Sequence, residues 1–118
     1  MKSLSWIADS RSTVRSFPAD VQDDIGYALY VAQLGEMSAR AKPLHGLGGG
    51  VMEIVANDES GTYRAVYTVS IGDSIYVVHA FQKKSTVGSA TPTPEMDLIR
   101  QRLKQLRKEV KNGEKQGS

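Results

Sequence analysis

The stretch TYRAVYTVSIGDSIYVVHAFQKKS, from Thr62 to Ser85, decides the fold because its pattern predicts a β-hairpin. Both arms are rich in Val, Ile, Tyr and Phe, the residue types that fit a pleated, half-buried surface. Between them, Gly72-Asp73 suits a primed two-residue turn, which matches the twist of the strands that it joins. Counting outward from that turn predicts three cross-strand pairs: Arg64 with Phe81, Val66 with His79, and Tyr67 with Val78.

The predicted hairpin carries cations at its open end. Arg64 lies near the start of the first arm, and Lys83 and Lys84 follow the second arm where it leaves the sheet. Cationic groups on a rigid sheet edge suit a phosphate-rich ligand, because charge-assisted hydrogen bonds to phosphate oxygens are strong. An ordinary solvated hairpin with scattered charges is the alternative interpretation.

The composition is typical of a soluble globular protein with one domain. The chain has 118 residues, of which 40% are hydrophobic and 24% are charged, and this length suffices for one core but not for two. It has no cysteine, which excludes disulfides, thiolate nucleophiles and thiolate zinc sites. The first residues lack the apolar run of a signal peptide, and no segment approaches the roughly 20 apolar residues of a membrane span. We therefore expect a cytoplasmic protein that does not contact a membrane.

Basic charge is concentrated in the last third of the chain. Residues 1–81 hold 6 Lys or Arg and 9 Asp or Glu, whereas residues 82–118 hold 9 Lys or Arg and 4 Asp or Glu. This asymmetry indicates an anionic partner, although a solvated helix with a basic face has the same pattern.

The remaining pattern predicts an α+β fold with two N-terminal helices, a small antiparallel sheet and a basic C-terminal helix. We expect a short strand at 4–8, helices at 10–16 and 18–34, a Gly-rich loop at 36–50 and a strand at 51–56. The second helix has one apolar face, formed by Val21, Ile25, Ala28, Leu29 and Ala32. The strand at 51–56 and the hairpin together form a three-stranded meander.

The last helix is predicted from Thr93 to about Lys111. Thr93-Pro94-Glu95 supplies an N-cap, a proline at the first helical position and an acidic first turn. Its apolar stripe consists of Met96, Ile99, Leu103, Leu106 and Val110. We expect one domain over residues 1–111 and a disordered polar tail over 112–118.

The residue types favour a basic site without a metal or a cofactor. His45 and His79 lack metal-ligand spacing, and Glu53 is the only carboxylate in the predicted strands, so paired-carboxylate and two-metal sites are poorly supported. RNA brings its own nucleophile, the 2′-OH, and its cleavage needs a base, an acid and cations beside the phosphate. The candidates for those roles are Lys42, His45, Arg64, Tyr67, His79, Lys83 and Lys84. The same residues also fit binding of RNA or protein without chemistry.

Four segments carry a resemblance to a known family. They are AKPLHGLGGGVMEI, TYRAVYTV, YVVHAFQKKS and a TP-led helix with DLIRQRL. Together they resemble the phage-derived HigB-like toxins of the RelE/ParE toxin superfamily, over about Ser10 to Val110. The order of elements is similar too.

The resemblance implies a toxin of a type II toxin–antitoxin system that cleaves mRNA on the ribosome without a metal. It implies a cognate antitoxin, often a helix-turn-helix protein, as the partner in a hetero-oligomer. Arg64 matches the arginine that contacts the scissile phosphate, and Lys83 and Lys84 match the basic residues that end the last strand. Tyr67 matches a strand position common in this branch, for which we infer a catalytic role. The RNA-binding candidates are Lys42, His45, His79 and Arg100.

One departure from the family keeps alternatives open. RelE has a tyrosine near the start of its last helix, whereas this chain has none after Tyr76. The leaving-group and stacking roles are therefore unassigned. A gyrase inhibitor of the ParE kind, and a prophage relic that only binds antitoxin, are the alternatives.

Overall fold

The structure is a computed structural model that describes residues 1–83 and 91–117, with side chains described as far as Asn112. The elements in chain order are β1 (Ser3–Trp6), α1 (Ser10–Arg15), α2 (Ala19–Gln33), β2 (Ala41–Pro43), β3 (Val51–Asp58), β4 (Gly61–Thr68), β5 (Ser74–Lys83) and α3 (Thr93–Gly117). The predicted α+β fold with a C-terminal helix is confirmed.

The sheet has five strands in the order β1-β5-β4-β3-β2. Strands β2 to β5 are antiparallel neighbours, and β1 pairs with β5 in parallel. Two features differ from the prediction. The segment Ala41–Pro43, expected in a loop, is a short edge strand. The sheet is mixed because β1 runs parallel to β5 at one edge, whereas the chain leaves β1 through α1 and α2 and enters the sheet again at the opposite edge, as β2.

Two hydrophobic cores cover the two faces of the sheet. Helices α1 and α2 lie on one face, where Val14, Ile25 and Leu29 pack with Ile54, Ala65 and Val77. Helix α3 lies on the other face, where Ile99, Leu103 and Leu106 pack with Val51, Val66 and Val78. Because successive side chains of a strand point to opposite faces, the three central strands β3, β4 and β5 contribute to both cores. The predicted apolar faces of α2 and α3 are the ones that are buried or partly buried.

The hairpin register is partly as predicted. Arg64 pairs with Phe81 and Val66 pairs with His79, but Tyr67 pairs with Val77 rather than with Val78, because a bulge lies between Val66 and Tyr67. The connection is longer than Gly72-Asp73, since β4 ends at Thr68 and β5 begins at Ser74.

The longer connection has a physical cause outside the hairpin. The amide of Val69 donates to the carbonyl of Gly50 at 2.9 Å, and the hydroxyl of Ser70 donates to the carbonyl of Gly49 at 2.7 Å. Ile71 is buried in the α3 core. These contacts take residues 69–71 out of the ladder, so a tight turn cannot form.

Helix α3 also extends beyond its predicted end. Its backbone is helical to Gly117, whereas the sequence predicted an end near Lys111 and a disordered tail. Residues 112–117 contain no proline, and Glu, Lys and Gln are good helix formers, so Gly113 within the helix is tolerated at about 1 kcal/mol, while Gly117 is the last helical residue.

Candidate functional site

A group of charged side chains lies on the α3 face of four adjacent strands. Lys42 of β2 pairs with Glu53 of β3, and Glu53 pairs with Val66 of β4. Arg64 is two residues before Val66 and therefore lies on the same face. Lys83 of β5 is two residues beyond Phe81, the partner of Arg64. We call Lys42, Glu53, Arg64 and Lys83 the basic cluster.

A buried ion pair forms the centre of the basic cluster. Nη1 of Arg64 donates to Oε1 of Glu53 at 2.9 Å, and the two side chains are only 5% and 1% exposed. The hydroxyl of Thr91 donates to Oε2 of Glu53 at 2.7 Å. Nζ of Lys42 lies 3.9 Å from Oε1 of Glu53, and this lysine is 51% exposed. One carboxylate thus organises cations from two neighbouring strands.

Arg64 keeps unused donor capacity despite its burial. Within the described residues, its Nε is the one buried side-chain nitrogen or oxygen without a hydrogen-bond partner. Leaving a buried polar group unsatisfied costs about 1–3 kcal/mol. An anion that accepts from this nitrogen would remove that cost.

Lys83 is buried in an environment that disfavours its charged form. Burial lowers the pKa of Lys83 below the ordinary lysine value, and the positive charges of Arg64 and Lys42 lower it further, while Glu53 acts in the opposite direction. A lysine with a lowered pKa has a larger neutral fraction near pH 7, which is the form that can accept a proton.

His79 lies in a separate network that joins β5 to α3. Its Nε2 makes a short hydrogen bond to a carboxylate oxygen of Glu95, and its Nδ1 lies 3.2 Å from Nη1 of Arg102. Because a guanidinium only donates, Nδ1 is the acceptor and the ring proton resides on Nε2. Arg102 also donates to the carbonyl of Val78 and to Asp9, both at 2.9 Å. Both ring nitrogens of His79 are therefore engaged within the protein.

The structure does not bring Tyr67 to the basic cluster. Its side chain is buried in the core beneath α1 and α2, on the face opposite to Arg64, since three residues along a strand reverse the side-chain direction. It borders a cavity of about 200 Å³ with Met37 and Met52. Burial raises the pKa of the Tyr67 hydroxyl, which favours its protonated form.

The other predicted site residues have different positions. Lys84 lies outside the described residues. His45 is exposed in the loop after β2, and Arg100 is exposed on α3, where it pairs with Asp97 at 3.2 Å. Arg100 lines a cavity of about 330 Å³ with Arg107 and the loop at 46–48. Within the described chain, neither His45 nor Arg100 has a hydrogen bond or ion pair to the basic cluster.

Sequence reasoning overlooked the two carboxylates that position the basic groups. The sequence identifies Glu53 only as the single acidic residue of the predicted strands, and Glu95 only as an acidic residue in the first turn of the last helix. A signal for Glu53 was present, because a charged residue within the apolar stretch Val51 to Ala56 needs a buried partner. No local pattern could have identified Thr91 or Arg102 as partners, since both are distant in sequence.

Two searches of the described residues gave negative results. No group of three or more His, Asp or Glu side chains is arranged to hold a metal ion. No described helix combines the length and the apolarity that crossing a membrane requires.

Comparison with models of protein families assigns the chain to a family. A family model described as phage-derived protein Gp49-like (DUF891) matches residues 12–104, which include all three strands of the meander and the first half of α3. This is a RelE-like, toxin-like family. A search of curated proteins finds no match.

Proposed function

The chain belongs to the phage-derived Gp49-like family, and on that premise we propose that it is the toxin of a type II toxin–antitoxin system and a ribosome-dependent mRNA endonuclease. The observation that carries this proposal is the basic cluster. Three cations, Lys42, Arg64 and Lys83, surround one buried carboxylate on a single face of the sheet. Such an arrangement favours an anionic ligand over a neutral one.

In the proposed reaction, the chain acts on an RNA phosphodiester. The 2′-oxygen attacks the adjacent phosphorus, the bond to the 5′-oxygen breaks, and a 2′,3′-cyclic phosphate and a 5′-hydroxyl result. Neutral Lys83 accepts the proton of the 2′-hydroxyl, which its lowered pKa supports. The leaving 5′-oxygen takes a proton from a group that we do not assign.

Arg64 stabilises the phosphate in this scheme. Its Nε has no described partner, and guanidinium N–H groups match phosphate oxygens as a planar fork. Glu53 holds the guanidinium in place through Nη1, so that less rotamer freedom is lost when the phosphate binds. Lys42, the exposed member of the cluster, contributes positive charge at the rim.

The test is induction of Arg64→Lys in bacteria, followed by primer extension on abundant mRNAs. Lysine keeps a cation beside Glu53 but lacks the planar fork, so we expect the folded variant to lose at least tenfold in cleavage. Arg11→Lys is the matched control, because Arg11 is exposed on α1, on the other face of the sheet. Tyr67→Phe should cleave like the wild type, since Tyr67 is buried on that face.

Three outcomes would overturn the proposal. Undiminished cleavage by folded Arg64→Lys would remove Arg64 from the site. Growth arrest with intact mRNA and DNA-damage signalling would indicate a gyrase inhibitor. Wild-type protein that neither cleaves mRNA nor arrests growth would indicate a protein that only binds antitoxin.

A further inference from the structure

Helix α2 and the residues directly after it expose an unusual amount of apolar surface. Of the five exposed large hydrophobic residues in the described chain, four lie between positions 27 and 37: Tyr27 at 65%, Tyr30 at 48%, Leu34 at 51% and Met37 at 52% exposure. A single exposed apolar residue is ordinary, but a contiguous group marks an interaction surface.

Four exposed residues of α2 and its C-cap residue Leu34 follow a regular spacing. Asp20, Asp23, Tyr27, Tyr30 and Leu34 are separated by three, four, three and four residues, and all five are exposed. This alternation places them in one line along a helix and is the spacing with which a second helix packs. We call these five residues the α2 seam. It lies opposite the buried residues of α2, such as Ile25 and Leu29.

The two halves of the α2 seam have different chemistry. The first half is acidic and the second half is aromatic and aliphatic. Asp24, beside the seam, pairs with Arg40 at 3.4 Å, whereas Asp20 and Asp23 form no ion pair within the described residues. The acidic half therefore has charge available for an external cation.

We propose that the α2 seam is the docking face for a helix of another protein. The contact face of that helix carries Lys or Arg along the half that meets Asp20 and Asp23, and large apolar side chains along the half that meets Tyr27, Tyr30 and Leu34. Where the seam ends, Leu34 borders a recess of about 570 Å³ with Met1 and Asp73, which has room for a further side chain of the partner.

Charge complementarity favours a basic helix over the other possible occupants of the α2 seam, which are a second copy of the chain, RNA and an anionic membrane. A second copy of the chain in parallel orientation would place aspartates against aspartates. In antiparallel orientation it would place them against Tyr30 and Leu34, without any cation. RNA and anionic membranes would be repelled by the acidic half. A basic amphipathic helix satisfies both halves at once.

The α2 seam and the basic cluster belong to opposite faces of the sheet. Helix α2 packs on the core that contains Tyr67, whereas Arg64 and Lys42 lie on the α3 face. Binding at the seam is thus separable from RNA chemistry.

The experiment uses the full chain and two synthetic helices of three heptads. One carries arginines facing the acidic half and leucines facing the apolar half, and the other carries glutamates in place of the arginines. Fluorescence anisotropy measures affinity, and amide chemical shifts locate the site. We expect the arginine peptide to bind at α2 and the glutamate peptide to bind at least tenfold more weakly.

Variants of the chain sharpen this test. In Tyr27→Lys, the new side chain retains helix propensity and can pair with Asp23 within α2. This variant should nevertheless weaken binding of the arginine peptide at least tenfold. Gln101→Lys, at an exposed position of α3, should have no effect. Asp20→Lys with Asp23→Lys should reverse the preference, so that the glutamate peptide binds better.

The proposal is overturned if the arginine peptide binds elsewhere, if it fails to bind at about 1 mM, or if Tyr27→Lys leaves its affinity unchanged. A wild-type dimer in sedimentation that Tyr27→Lys dissociates would assign the seam to a second copy instead. None of these readouts depends on mRNA cleavage, so a failed nuclease assay and a failed docking assay remain distinguishable.

Discussion

Removal of both members of the Arg64–Glu53 pair should destabilise the protein by clearly less than the sum of the two single removals. The two side chains are almost fully buried and their nearest atoms are 2.9 Å apart. Arg64→Ala would leave the Glu53 carboxylate in the interior without its closest guanidinium partner, with Nζ of Lys42 3.9 Å from Oε1. Glu53→Gln would leave Arg64 next to Lys83 and Lys42 without a carboxylate.

The magnitude follows from the burial of the pair. Breaking a buried ion pair by removing one partner costs about 3–5 kcal/mol, because an uncompensated charge stays in the interior. Arg64→Ala should fall near the lower limit, since Thr91 still donates to Glu53 at 2.7 Å. Domains of this size are stable by about 5–15 kcal/mol, so each single variant loses a large share of the total.

The double variant Glu53→Gln with Arg64→Ala lacks both the buried carboxylate and the buried guanidinium, so neither charge of the pair is left uncompensated. Its destabilisation should therefore be smaller than the sum of the two single variants by at least about 2 kcal/mol. Urea unfolding at pH 7, followed by far-UV circular dichroism, measures all four free energies of unfolding. The cycle isolates the coupling between the two side chains.

Arg40→Ala is the matched control for this cycle. It breaks an ion pair to Asp24 whose members are 46% and 34% exposed, and exposed pairs contribute about 0–1 kcal/mol. Additivity of the two single variants within about 0.5 kcal/mol would refute the reasoning. A loss in Arg64→Ala no larger than that in Arg40→Ala would refute it equally.

Two further predictions concern protonation and backbone conformation. The pKa of Lys83 is lowered in the folded protein, so at pH values between that lowered pKa and the ordinary value of 10.5 the unfolded chain binds more protons than the folded one. The free energy of unfolding should therefore rise with pH in this range. Urea unfolding across this range should show that the wild type gains stability relative to Lys83→Met as pH rises, and parallel curves would contradict it. In the Gly-rich loop, Gly50 has φ +77, and an added Cβ would lie 2.5 Å from Cβ of Ser70. Gly50→Ala should lower the free energy of unfolding by about 2–4 kcal/mol through backbone strain and overpacking. Gly49→Ala is the control: its added Cβ meets nothing within 4 Å, so it should change stability by less than about 1 kcal/mol. Equal shifts of the two variants in thermal unfolding would argue against strain at Gly50.

Local periodicity predicted most of the elements. The spacing of apolar residues identified the buried faces of α2 and α3, and alternation identified the hairpin and the pairing of Arg64 with Phe81. These patterns are readable because burial of one face imposes a period of about 3.6 residues on a helix and of two on a strand.

The same alternation could have separated Tyr67 from the candidate site. Arg64 and Tyr67 are three residues apart in one strand, and an odd separation places two side chains on opposite faces. Composition and resemblance pointed to Tyr67, whereas the parity of the strand argued against it.

The sequence by itself determined the types of charge available, the faces of the helices and the antiparallel meander, because each depends on residues close together in the chain. Only the tertiary structure decided which charges meet. The contact of Thr91 with Glu53 joins residues 38 positions apart, and the bond from Arg102 to Asp9 joins residues 93 positions apart. Such contacts follow from how α3 crosses the sheet, and no local pattern encodes that crossing. The parallel pairing of β1 with β5 has the same origin, since the backbone groups of an edge strand accept any strand that the packing of α1 and α2 brings beside them.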